Sequence, residues 1–183
     1  MMITSSPHPN SLNRNEDIRT LFELVFRKGI IQSNWVARIF TLEEAKTAIE
    51  TIGSFNTFNP KRVYRHIESL WGEINELYIG CEGSPVFYIT IPYWLGQSPN
   101  GAKKLKPVNV EKIYEENPDL DLFELSDKIH ELQGDRKISN EDREMMTRKL
   151  IKRFTRLGAT EVELTENPRV FPAPMNSIRV WWD

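Results

Sequence analysis

The sequence predicts an α+β fold: an antiparallel sheet built from two β-hairpins, at about residues 76–92 and 161–182, with several helices packed against it. Three observations carry that expectation. The stretch Glu76–Trp94 has a short apolar run, a Cys81-Glu82-Gly83-Ser84 turn, and a second run opened by Pro85 that is apolar or aromatic at nearly every position. Near the C-terminus, Val162 and Leu164 alternate with Glu161 and Glu163, and Ile178–Trp182 follows a proline-rich loop. Between and before these runs, apolar residues recur at helical spacing behind capping residues.

Taken in order, residues 1–15 are polar, with Pro7 and Pro9, and predict an N-terminal tail. Ile18, Leu21, Phe22, Val25 and Phe26 share one helical face, and Gly29 closes that helix. Asn34–Phe40 reads as a strand. Thr41 with Glu44 forms a capping box for a helix bearing Leu42, Ala45, Ile49 and Ile52. Asn59, with Pro60 at the first helical position, opens a third helix whose inner face is Val63, Tyr64, Ile67, Leu70 and Trp71. In the first hairpin, the doubly apolar run Val86–Ile91 predicts a strand covered on both faces and flanked by helices. The expected aromatic core members are Tyr78, Phe87, Tyr88, Tyr93 and Trp94.

Residues 97–108 carry glycine and proline without periodicity and read as a linker-like loop between a helix-rich core (16–96) and a C-terminal segment (109–183) packed with it as one domain. Within that segment, residues 109–135 hold nine carboxylates against Lys112 and Lys128, a net charge of −7, whereas residues 136–158 carry +5. Val110, Ile113 and Tyr114 predict a short helix, Leu122, Leu125, Ile129 and Leu132 a second, and Ser139 with Asp142 caps a third whose inner face is Met146, Leu150, Phe154 and Leu157. The order helix, glycine, strand, turn, strand, tryptophan occurs at 59–94 and again at 139–182. Identity between the two is too low for a duplication, but the order suits hairpins that join one sheet.

Composition narrows the function classes. A charge of −2 makes no global case for nucleic acid or a membrane, and no long apolar segment occurs. Cys81 is the one cysteine, so a cysteine-rich zinc site is excluded and a reducing, cytoplasmic setting is expected. Thiol catalysis at Cys81 needs a base, and His66 and His130 both read as surface residues. No Walker, dinucleotide-binding or nucleophile-elbow motif occurs, and no metal or cofactor is expected.

The expected role is therefore a binding or interaction protein without an evident catalytic site. A protein partner or a second copy would meet the charged segment 109–156 and the Trp181-Trp182 strand. A second reading is a nucleic-acid-binding regulator of winged helix-turn-helix type. Lys149, Lys152, Arg153 and Arg156 share one helical face and, with Arg143, would contact phosphates. A third reading is an enzyme using acids drawn from Glu73, Glu76, Glu82, Glu161 and Glu163, which spatial convergence alone would support.

Overall fold

The computed structural model describes residues 11–29, 34–102, 104–166, 168, 170 and 172–183. Most of the expected tail lies outside these residues; from Ser11, earlier than expected, the chain is helical. Helix α1 (Ser11–Phe22) continues as a π-helical turn, Glu23–Arg27. Strand β1 (Trp35–Ile39) is followed by α2 (Leu42–Ile52), where the Thr41 hydroxyl accepts from the Glu44 amide. In α3 (Pro60–Leu70) the Asn59 side chain accepts from the Arg62 amide. The first hairpin is β2 (Glu76–Cys81) and β3 (Pro85–Thr90). Helices α4 (Pro99–Ala102), α5 (Val110–Glu116), α6 (Leu122–Leu132) and α7 (Asn140–Arg156) lead to the second hairpin, β4 (Glu161–Thr165) and β5 (Ser177–Trp181).

The five strands form one antiparallel sheet in the order β1-β2-β3-β5-β4. The two hairpins join side by side, Val86 opposite Trp181 and Ile89 opposite Ile178, which places β3 at the centre with all six residues buried. Gly80 allows β1 to lie close, because a Cβ there would sit 2.0 Å from the Trp35 carbonyl oxygen.

One face of the sheet, carrying Leu77, Ile79, Phe87, Ile89, Ile178 and Val180, packs against residues of α1, α2, α3 and α7. Trp182 is fully buried there, its ring 5.0 Å from those of Phe58 and Phe87 and 6.2 Å from Phe154. The opposite face differs from the expectation of flanking helices. Its apolar cluster is Val36, Tyr78, Val86 and Tyr88 with Trp181 beside them, covered by Val170 and Ala173 of the β4–β5 loop, and among the described residues it contains no helical one. Tyr78, Phe87, Tyr88 and Trp94 are buried as expected, whereas Tyr93 is exposed.

A buried ion pair crosses the seam between the hairpins on this second face. Arg179 Nη2 lies 2.6 Å from Glu82 in the β2–β3 turn, and Nη1 lies 2.7 Å from Glu161 on β4. The Arg179 and Glu82 side chains are 10% and 7% exposed, and the Tyr88 hydroxyl donates to Glu82. Burial, then the Glu82 carboxylate, holds the Tyr88 phenol well above its usual range. Burial alone would lower the Arg179 pKa; the bonds to Glu82 and Glu161 outweigh it and hold the guanidinium charged.

Removing Arg179 leaves the buried Glu82 charge with the Tyr88 hydroxyl as its side-chain partner, whereas removing Glu82 leaves Arg179 paired with Glu161. Arg179→Ala is expected to cost about 3–5 kcal/mol and Glu82→Ala less, and the double variant Arg179→Met, Glu82→Leu clearly less than their sum, in urea unfolding. Additive losses would mean that the pair is solvated.

Candidate functional site

Helices α5 and α6 pack on each other and form the acidic part of the surface. Local polar bonds shape them. The Asn109 side chain accepts from the Lys112 amide, and Asp121 and Glu124 form a reciprocal capping box at the start of α6. Ile113 and Leu125 are buried between the helices and the rest of the chain, but other apolar residues are not. Leu122 and Phe123, adjacent at the N-terminus of α6, are 80% and 86% exposed. Val110 and Tyr114, one turn apart on α5, and Leu132 are also exposed. The helical period read from the sequence places Leu122 and Leu132 inward with Leu125 and Ile129; in the structure both are exposed.

Around these side chains, the exposed Glu111, Glu115, Asp119 and Glu131 make no ion pair among the described residues. The other acids serve the lobe itself. Asp127 accepts from Trp94 Nε1 and pairs with Lys137 at 2.7 Å, which holds its carboxyl below the usual range.

A polar clamp fixes the lobe to the sheet. The Asp135 side chain, 2% exposed, accepts from the Gly96 and Arg136 amides at 2.8 and 2.7 Å and lies 2.9 Å from His130 Nδ1. The His130 ring stacks on Trp94 with centroids 5.0 Å apart and planes within 8°. Gly96 is required at this close approach, since a Cβ would stand 2.4 Å from the Asp135 carboxylate. Thus Gly96, placed at the edge of the linker-like loop, is bonded to the far end of the lobe. His130, read as a surface residue, is inside the clamp.

The sequence-predicted basic residues do not form one open stripe. Lys149 pairs with Glu73 at 3.0 Å. The Arg143 guanidinium lies over the Tyr93 ring, 3.5 Å from its centroid, away from the other four. Lys152 and Arg156 are exposed and Arg153 is half-buried, none with an ion pair among the described residues. Helix α7 packs on the sheet through Leu150 and Phe154, and α6 packs on α5 and does not run along α7. A helix-turn-helix needs its two helices packed together. Of the two tryptophans proposed as partner contacts, Trp182 is inside the core. Trp181 is half-buried on the second face, donating from Nε1 to the Glu82 carbonyl.

Cys81 ends β2 instead of occupying an exposed turn, and burial pushes its thiol pKa up. Glu82, Glu161 and Glu163 do converge, but on Arg179. Glu73 pairs with Lys149, and Glu76 with Arg38. No group of three His, Cys, Asp or Glu side chains among the described residues is arranged to hold a metal ion. No helix there is long and apolar enough to cross a membrane. No family model, curated protein or solved structure matches the chain.

His66, also read as a surface residue, is half-buried between α3 and α7. Its ring stands edge-on to Phe154 at 5.1 Å, and its Nε2 is shielded without a partner. Burial, then the nearby Arg153 charge, lowers its pKa below the ordinary value near 6.5. A depressed folded-state pKa contributes stability that is present above the unfolded value and lost as pH falls through the folded one. Urea midpoints at pH 7.5 and pH 5 should therefore differ more for the natural protein than for His66→Gln; an equal difference would contradict this assignment.

Proposed function

We propose that this protein is a protein-binding module that docks a basic, amphipathic segment of a partner on the α5–α6 lobe. The observation that carries the reading is the near-complete exposure of Leu122 and Phe123 within a segment of net charge −7. A single exposed leucine is ordinary on a soluble surface, but two adjacent large apolar side chains left in water at a helix start are not explained by local folding. Covering each recovers on the order of 1.5–3 kcal/mol. The unpaired Glu111, Glu115, Asp119 and Glu131 supply the surrounding field, which favours a cationic partner and speeds encounter with it.

A protein partner fits this surface better than a polyanion does. Nucleic acid would have to approach Lys152 and Arg156 on a chain whose Lys149 and Arg148 already pair with Glu73 and Glu144.

The test uses the full chain and a labelled amphipathic leucine/lysine helical peptide as the probe, read by fluorescence anisotropy at low and moderate salt. Saturable binding is expected to weaken with salt and to fall at least tenfold in Leu122→Asp, Phe123→Asp. A peptide of equal charge with scrambled, non-amphipathic order should bind more weakly. Binding that ignores the double variant, or does not distinguish the two peptides, would refute the docking surface.

A further inference from the structure

Away from the lobe, an open cleft of about 630 Å³ lies between the N-terminal half of α7 and the end of the sheet. That volume is in the range of sites that hold small organic ligands. Its wall on the sheet side is aliphatic, with Ile89 from β3, Ile178 from β5 and Leu164 from β4. Ile89 and Ile178 lie beneath that wall, 0% and 1% exposed, so its accessible apolar surface is that of Leu164, 56% exposed at the rim.

The helix side carries the charge. Arg143 stands on the first turn of α7, its guanidinium 3.5 Å from the centroid of Tyr93, which also lines the cleft. A cation held on an aromatic face is oriented without being neutralised. Among the described residues Arg143 has no carboxylate partner, and its Nε is shielded from solvent with no acceptor. The neighbouring arginine differs: Arg148 is paired with Glu144 at 3.2 Å, and both side chains are highly exposed. The first turn of α7 lies at the same end of the cleft, and its own Glu141 and Asp142 already offset the partial positive charge of the helix N-terminus.

The geometry points to this cleft as a binding site for a small amphiphilic carboxylate, its anionic group on Arg143 and its hydrocarbon or aryl body against the exposed Leu164 and Tyr93. A carboxylate matches the planar guanidinium fork and, with Nε shielded, would accept from the terminal Nη groups. One negative charge suits the site better than two, because the Glu144 carboxylate also lines the cleft and repels a dianion.

The probes are decanoate, decanol and decyl phosphate, with binding to the full chain followed by saturation-transfer NMR and calorimetry. Decanoate is expected to bind saturably and more tightly than either analogue. Arg143→Gln should weaken it at least tenfold, Arg143→Lys by less, and Lys152→Gln not at all. Leu164→Trp, on the opposite wall and outside the ion contacts, should block the cleft while leaving the melting curve near that of the natural protein. If Arg143→Gln does not fold, Leu164→Trp and the decanol comparison still decide. No saturable decanoate binding, equal binding of decanol or decyl phosphate, or binding indifferent to a folded Arg143→Gln or Leu164→Trp would overturn the assignment. Leu122→Asp, Phe123→Asp should leave decanoate binding intact, which separates this site from the α5–α6 surface.

Discussion

The pairing of β3 with β5 is the constraint from which the rest of the structure follows. It brings together residues almost a hundred positions apart, and it makes β3 the centre of a five-stranded sheet instead of the edge of a three-stranded one. An exposed β3 edge would present an apolar strand to other chains. Here it is closed by Ile178 and Val180 and capped by Trp182, whose ring meets residues from both halves of the chain. The chain between β3 and β5 is then an excursion whose two ends are pinned. The entropic cost of closing so long a loop grows only slowly with its length, so the acidic lobe and α7 add little to that cost.

The two parts of the excursion are held differently. Helix α7 returns to the sheet with Leu150 and Phe154 buried, and it shares the hydrophobic core with α3. The α5–α6 lobe is held at its base by polar contacts: Asp135 on the Gly96 amide, and His130 stacked on Trp94. Trp94 is buried there, but Leu122 and Phe123 stay outside. An element fixed by a few bonds and carrying exposed apolar groups belongs to the low-stability end of a structure, where binding surfaces are commonly found. Both proposed sites thus depend on the central sheet. One is set at the end of the tether, and the other is the space left where α7 meets β3, β4 and β5.

Much of this was legible in the chain because it rests on local chemistry. Thr41, Asn59 and Ser139 cap helices where the sequence has them, and each bonds to the amide expected of a cap. The strict alternation of β4 and the doubly apolar run of β3 separate an edge strand from a central one, and the repeated helix-hairpin order suits two hairpins joining one sheet. What escaped depends on contacts between distant positions. Glu82 and Arg179 meet across 97 residues, and no local pattern marks either, although registering β4 on β5 would have set Arg179 opposite Glu163. Leu122 has the spacing of a core residue and is exposed, because periodicity says which face of a helix is apolar but not how far along the helix the neighbouring structure extends. Arg143 was grouped with the basic stripe by its element; Tyr93, from the end of the other hairpin, is what removes it.

Native-state hydrogen exchange on the full chain tests the central claim most directly. If the sheet is one cooperative unit closed by β3 and β5, the amides of β2, β3 and β5 exchange most slowly and at a common free energy, that of global unfolding, while those of α5 and α6 exchange earlier as a local unit. Amides of β4 and β5 exchanging together through a distinct, lower-energy opening, with β2 and β3 still protected, would contradict it, and the C-terminal hairpin would then be an appendage to a sheet that stands without it.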